Sequence, residues 1–168
     1  MYLTVVSSDD LCHLYDFEYR NKDWFERFVP PREPGYFFFD DFKEHVGEHL
    51  AEQKRMKLLM FVVYRDNEII ARVNITNIQQ GVAEIDYRVC QRVAGQGLAT
   101  QAVKSVLDLC RDKYGINRVN AITTDNNVAS QSVLLKNDFE FSHRDKDAYV
   151  LNGQSVDFVF FQKALGTV

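Results

Sequence analysis

The sequence lacks the features that mark several whole classes of protein. Its three cysteines, Cys12, Cys90 and Cys110, form no C-x-x-C pair and keep no company with paired histidines, which excludes the usual zinc-ligand spacings. Their odd number and scatter fit reduced thiols in a cytoplasmic protein. Positive charge is not in excess: 20 Lys and Arg stand against 24 Asp and Glu, a net charge of −4. Direct nucleic-acid binding is therefore not expected. The mild acidity suits a cationic amine as substrate, although surface acidity ordinarily serves solubility. No apolar run approaches the roughly 20 residues that cross a bilayer, so no membrane partner is expected. The opening MYLTVVSSDD has no basic segment and only a short apolar run, so no secretory leader is expected. Prolines number three, all between Val29 and Gly35, which confines the plainest chain break to one loop. Internal repeats and low-complexity tracts are absent.

What is present is ordinary for a globular chain, 46% hydrophobic and 26% charged over 168 residues. That length suits one domain, 1–168, with a substantial core. Leu3 to Val6 reads as a first strand, and Leu11 to Phe28 as one or two helices behind Asp9 and Asp10. After the proline loop, Asp40 to Met56 returns to a helical pattern, with Phe42, Val46, His49 and Leu50 as an inner stripe. The run Tyr36 to Phe39 reads as core, with a pocket wall or a homodimer contact as the alternatives. His45 and His49 stand four apart as H-V-G-E-H, not H-E-x-x-H, and read as surface residues of that helix.

Leu58 to Val89 is the part most clearly built of strands. Leu58 to Tyr64 is continuously apolar. Beyond a turn at Asp66-Asn67, Ile69, Ala71, Val73 and Ile75 alternate with Ile70, Arg72, Asn74 and Thr76. Beyond a second turn at Gln79 to Gly81, Ala83, Ile85, Tyr87 and Val89 alternate with Glu84, Asp86 and Arg88. Two successive hairpins predict an antiparallel meander. Leu98 to Tyr114 is an amphipathic helix ended by Gly115. Then come a strand at 118–124, a short helix at 128–137 capped by Asn126 or Asn127, and two closing strands, FEFSHR and VDFVFFQKAL.

Between the third meander strand and the long helix lies QRVAGQGLAT, residues 91–100. Taken alone, Gly95 and Gly97 are first of all turn residues. Their other reading is an anion cradle: amides at a helix start, the helix dipole, and no side chains in the way. A Rossmann site would place a third glycine at Thr100 after a parallel strand, and a phosphate-binding P-loop would follow Gly97 with lysine rather than Leu98. Both nucleotide folds fit poorly.

Arg92-Val-Ala-Gly95-Gln-Gly97, followed some 30 residues on by Asn127-Val-Ala-Ser130 and Asn137-Asp-Phe139, resembles the two motifs of the GNAT superfamily of acetyl-CoA-dependent N-acetyltransferases. The pair, in this order and setting, is far more specific than either motif alone. From about Leu58 to Leu165 the chain is similar to the RimJ/RimL branch, which acetylates the N-terminal α-amine of ribosomal proteins. It departs from that branch at Ala71, Asp86 and Asp138, where glycine is usual, and at Val93-Ala94, where a bulky residue is common. None of these changes removes a backbone N–H.

The resemblance implies an α/β fold whose central, mostly antiparallel twisted sheet has about six to seven strands and is flanked by about four helices, with the cofactor core at about 82–139. It implies acetyl-CoA as cofactor and an amine as acceptor. Arg92, Val93, Ala94, Gly95, Gln96, Gly97, Leu98, Ala99 and Thr100 would hold the pyrophosphate. The backbone of Tyr87, Arg88 and Val89 would pair with pantetheine and aim an N–H at the charge developing on the thioester oxygen. Glu84 is the candidate general base, with Asp86 on the same face as its substitute and a plain outward carboxylate as the other reading. The tyrosine that many members place seven residues after the motif asparagine is Leu134 here, so Ser130 is the candidate proton donor to the leaving thiolate. Asn127 would cap the helix and contact the cofactor.

A modest base suits an α-amine, whose ordinary pKa near 7.7 to 8.0 leaves about a tenth of it uncharged at neutral pH, against well under a thousandth of a lysine amine. The predicted activity is acetyl transfer to a protein N-terminus. The alternatives are a small-amine acetyltransferase, for a polyamine or aminoglycoside, and a non-catalytic acyl-CoA sensor.

Overall fold

Six consecutive residues, Leu59 to Tyr64, are buried. An apolar run of that length, rich in β-branched and aromatic residues, is a strand covered on both faces. It forms β2 (Leu59–Arg65) of the computed structural model, which describes residues 1–166. β1 (Tyr2–Val5) pairs antiparallel on one side and β3 (Glu68–Gln79) on the other. The β2–β3 turn is Asp66-Asn67, both at positive φ, 50° and 64°. Short polar side chains carry that two-residue hairpin geometry at low cost. β4 (Val82–Val89) completes the meander predicted from the alternation.

The helices are α1 (Leu11–Arg20), α2 (Lys22–Phe25), α3 (Phe39–Lys54), α4 (Leu98–Tyr114) and α5 (Val128–Lys136). With β5 (Arg118–Thr124), β6 (Glu140–Leu151) and β7 (Gln154–Ala164) the sheet has seven strands in the order β1-β2-β3-β4-β5-β7-β6. The described residues thus hold one helix more than expected. The addition is α2, separated from α1 at Asn21, whose Nδ2 donates to the Phe17 carbonyl at 2.8 Å. Of the Tyr36–Phe39 run, only Tyr36 is buried, while Phe38 and Phe39 are exposed.

Strand alternation sorts the two faces of the sheet. Arg72, Asn74 and Thr76 of β3 lie beside Arg88, Asp86 and Glu84 of β4, and Ala71, Val73 and Ile75 beside Val89, Tyr87 and Ile85. The polar face meets α1 through Glu18. The apolar face meets α4, whose Val103, Val106 and Cys110 are fully buried and whose Tyr114 packs edge-on against Phe61. Burial pushes the Cys110 thiol up to about 12, so it is an inert core residue.

Among the described residues β4 and β5 are the only parallel neighbours, and they pair over just three residues, Val82–Glu84 with Arg118–Asn120. β4 continues five residues beyond that point and β5 four. The sheet is therefore notched where a ligand can enter. β6 also differs from the sequence reading, in which it stopped near Arg144. It runs on to Leu151, exposed along nearly its whole length, with pairing interrupted between Asp145 and Tyr149. An edge strand with solvent around it leaves no hydrophobic alternation to read.

Candidate active site

A cavity of about 580 Å³ opens at the notch. Of the residues expected to hold the cofactor, Tyr87, Arg88, Val89, Val93, Ala94, Gly95, Gly97, Leu98, Ala99, Thr100, Asn127 and Ser130 all line it. Gly95 and Gly97 stand at φ +76° and +78°, and no protein atom lies within 4 Å of where a Cβ would be. Conformation, not crowding, calls for glycine at both. The N–H groups from Gly95 to Thr100 find no acceptor among the described residues; the first satisfied amide is Gln101, which donates to the Gly97 carbonyl at 3.1 Å. Six successive unpaired donors at the start of a 17-residue helix make a cradle of the kind that suits a phosphate group.

Two residues of the motif point elsewhere. Arg92 pairs with Glu68 and faces a separate surface depression with Asp16 and Arg20. Gln96 Nε2 donates back to the Arg92 carbonyl. Lys104, on the polar face of α4, pairs with Asp108. The cradle is therefore backbone, not side chain. Trp24, Phe28 and Lys136 also line the cavity; Trp24 on α2 and Phe28 just beyond it come from far along the chain and carry no local mark, while Lys136 ends the helix that holds Ser130.

Strand register fixes which backbone groups of β4 face the notch. Cys90 N–H donates to the Ile70 carbonyl at 3.0 Å, so the residues bonded to β3 are the even-numbered ones. The N–H and C=O of Tyr87 and Val89 consequently point away from β3 and into the gap. The Val89 carbonyl accepts from Trp24 Nε1 at 3.1 Å, which leaves both groups of Tyr87 and the N–H of Val89 to meet a ligand.

Tyr87 also brings its side chain. Its hydroxyl lies 3.0 Å from the Ser130 carbonyl and 3.0 Å from Ser130 Oγ. Burial pushes the Tyr87 phenol up to about 12, against a smaller downward pull from Ser130, so it stays protonated at neutral pH. Asn127 caps α5 through Oδ1, which accepts from Ser130 N–H at 3.1 Å, and so seats Ser130 in the first turn. Leu134 is buried core. A tyrosine hydroxyl is present after all, supplied by β4. Asp138 stands at φ +58°, the conformation for which the related pattern uses glycine, and its carboxylate pairs with Lys163 at 3.2 Å.

A second cavity, of about 260 Å³, abuts the first across Val29, Tyr87 and Arg88. Asp86 opens onto it and is reached by solvent from that side. Protein packed around the carboxylate otherwise removes much of its hydration. That desolvation holds its carboxyl above the ordinary carboxylate range, although Arg72, Asn74 and Arg88 pull the other way. Asn74 Nδ2 donates to it at 2.8 Å. Glu84 does not reach either cavity. It sits on the stretch of β4 still paired with β5 and accepts from Asn77 Nδ2 at 3.0 Å. Of the two acids named from sequence, the strand register brings Asp86 to the site.

Behind Asp86 lies a buried charge cluster. Glu18 accepts from Arg72 Nη1 at 2.9 Å and from Arg88 Nη1 at 3.2 Å, with Arg32 Nη2 at 3.7 Å. Burial alone would raise the Glu18 pKa, but the three arginines outweigh it and hold the carboxyl below its usual range. His45 and His49 face this cavity instead of decorating the outside of α3. Their rings stack edge-on at 4.2 Å. Desolvation, then His45 and nearby arginines, lowers His49 to about 4, so it is neutral at physiological pH.

The model of the acetyltransferase (GNAT) domain family matches residues 1–140, and the chain belongs to that family. It is thus an acetyltransferase that uses acetyl-CoA. The chain is 25% identical over 124 residues to the probable N-acetyltransferase YjcK of Bacillus subtilis (strain 168), covering 71% of this chain and 68% of that protein. It shares its fold with the ribosomal-protein-S5-alanine acetyltransferase of Vibrio fischeri, at a TM-score of 0.90 and 22% identity over 96% of this chain and 91% of that one. RimL, a ribosomal L7/L12 α-N-protein acetyltransferase solved with coenzyme A, superposes at 0.87 with 21% identity over 96% and 92% of the two chains. The fold is also that of the spermidine N-acetyltransferase SpeG of Vibrio cholerae, at 0.80 and 15% identity over 98% and 95%.

Proposed function

We propose that this protein acetylates the N-terminal α-amine of a protein, in a cytoplasmic setting where its three unpaired cysteines stay reduced. The observation that carries the reading is the abutment of the two cavities at Tyr87 and Arg88. A thioester lying along β4 and an amine entering from the side of Asp86 would meet there. Acetyl-CoA supplies the activated acetyl group; the chain supplies position and proton traffic.

The amides from Gly95 to Thr100 hold the pyrophosphate, and the backbone of Tyr87 to Val89 runs beside the pantetheine. The Tyr87 N–H, which points into the gap, stabilises the charge that develops on the thioester oxygen. Asp86 takes the proton from the attacking amine: a carboxylate held above its ordinary range is a better base than a solvated one. Ser130 donates a proton to the departing sulfur, with the Tyr87 hydroxyl behind it. The modest strength of such a base suits an α-amine, part of which is already uncharged at neutral pH, better than a lysine.

The test is thiol release from acetyl-CoA with two peptides of one sequence. One has a free N-terminus and no lysine; the other has a blocked N-terminus and an internal lysine. Release with the first alone is expected. Release with the second alone, or silence with both while acetyl-CoA still raises the melting temperature, would overturn the α-amine reading.

A further inference from the structure

Three buried side-chain atoms have no hydrogen-bond partner among the described residues: Arg32 Nε, Tyr36 Oη and His49 Nδ1. Arg32 and His49 line the smaller cavity. Tyr36 packs directly behind them, its ring 4.6 Å from the Arg32 guanidinium and edge-on to His45 at 5.3 Å. Buried polar groups are nearly always satisfied, and two of these three belong to residues that line one cavity, where a ligand would complete them.

The sign of that ligand follows from how the charges are shared. Glu18 spends one oxygen on Arg72 and the other on Arg88. Each nitrogen of Arg72 has a partner: Nε on Asn74, Nη1 on Glu18 and Nη2 against the Met60 sulfur. Arg32 comes no nearer to Glu18 than 3.7 Å, beyond hydrogen-bond reach. Around the cavity three guanidiniums face two carboxylates, Glu18 and Asp86, and the guanidinium left over is that of Arg32. The two histidines add no charge at neutral pH but do report the potential: after desolvation, Arg32 and Arg72 are among the causes that hold both below their ordinary value.

We propose that the smaller cavity selects an acceptor that carries a carboxylate close to its amine, with Arg32 and His49 taking the carboxylate and Asp86 facing the ammonium. On the reading above, which this proposal deepens, the acceptor is a protein whose first residue is acidic. At about 260 Å³ the cavity falls below the usual range of roughly 300 to 1,000 Å³ for drug-sized ligands, and so has room for little more than one residue. A neutral His49 can carry its proton on Nδ1 and donate it to the anion. A polyamine, all positive and no anion, would leave Arg32 unpaired and repelled.

The experiment compares kcat/KM with acetyl-CoA for peptides that start with Asp, Asn or Lys and are otherwise identical, alongside free aspartate and spermidine. The Asp peptide is expected to exceed its Asn counterpart at least tenfold, with the Lys peptide slower still. Arg32→Gln should bring the Asp and Asn rates to within threefold of each other. Arg32→Lys, which keeps the charge and loses the fork, should retain part of the preference. Melting temperature with and without acetyl-CoA verifies that each variant is folded and loaded. Equal rates for the Asp and Asn peptides would overturn this proposal and leave N-terminal acetylation standing. Silence with all peptides but acetylation of free aspartate ahead of spermidine would overturn the N-terminal reading and support the anion site. Spermidine ahead of every other acceptor, or turnover of none, would overturn the anion site.

Discussion

The Tyr87 hydroxyl, on β4, lies 3.0 Å from both the carbonyl and the hydroxyl oxygen of Ser130, on α5. A phenol has one proton and can serve only one of these acceptors at a time. When Tyr87 donates to the carbonyl, Ser130 Oγ is free to donate elsewhere, which in the proposed mechanism is to the leaving sulfur. Removal of Ser130 Oγ should therefore cost more than removal of the phenol. Ser130→Ala is expected to lower kcat about a hundredfold, the lower end for general acid–base catalysis. Tyr87→Phe should cost less, and the double variant little more than Ser130→Ala alone. Steady-state kinetics on the three variants checks this; full additivity would separate the two hydroxyls.

Asp86 and Glu84 give opposite forecasts. Asp86→Asn should reduce kcat/KM by about 10²- to 10⁴-fold, while Glu84→Gln, which keeps a partner for Asn77, should stay within a few-fold of the parent. The acid limb of the pH–rate profile should lie above the ordinary carboxylate range and vanish in Asp86→Asn. If Glu84→Gln is the dead variant, the base has been misassigned.

The phosphate cradle should respond to backbone conformation. Gly97→Ala places a Cβ at φ +78° and should cost about 1 to 2 kcal/mol, or roughly 2 to 8 °C in Tm. The diagnostic reading is the extra Tm rise on adding acetyl-CoA, which should shrink in the variant because the six free amides are displaced. Arg92→Gln, by contrast, should leave that rise nearly intact, since Arg92 pairs with Glu68 outside the cavity.

Glu18 is the linchpin of the charge cluster. Glu18→Gln would strand Arg72, itself buried, and breaking a buried pair in this way costs about 3 to 5 kcal/mol. Chemical denaturation of the variant against the parent measures it. A loss under 1 kcal/mol would mean that the arginines are compensated by other groups.

Stability should also fall in acid, for two reasons of one sign. The unfolded chain protonates His49 near 6.5, whereas the folded chain resists until about 4. Its contribution is intact above the first value and is lost as pH drops toward the second. Glu18, held below its ordinary range, stays charged where the unfolded carboxyl takes up a proton, so its contribution disappears at lower pH still. Tm measured from pH 7 to 3 should slope downward, less steeply where Asp86, held above its ordinary range, takes up its proton in the folded chain first. His49→Gln should flatten the upper part only.

Strand and helix periods determined most of the architecture from sequence alone. β2 to β4, α4 and β5 follow from uninterrupted apolar alternation or helical spacing, which local sterics and burial enforce together. The glycine loop was legible for the same reason: no other residue rests comfortably at φ near +77° in two places out of three. The far end of β6 was not, because an exposed edge strand imposes no pattern on its side chains.

The site divides the same way. Gly95 to Thr100 form one local run and Asn127 with Ser130 another, so their spacing could be read as two motifs. Tertiary structure alone decided that Asp86, not Glu84, opens onto the smaller cavity, because only strand pairing says where β4 leaves β5. It alone brought the Tyr87 hydroxyl 43 residues along the chain to Ser130, and gathered Glu18, Arg32, His49, Arg72 and Arg88 from four elements and a proline-rich loop around one cavity. Charges paired across such separations leave no local signature in a sequence; they become visible only when folding removes the water between them.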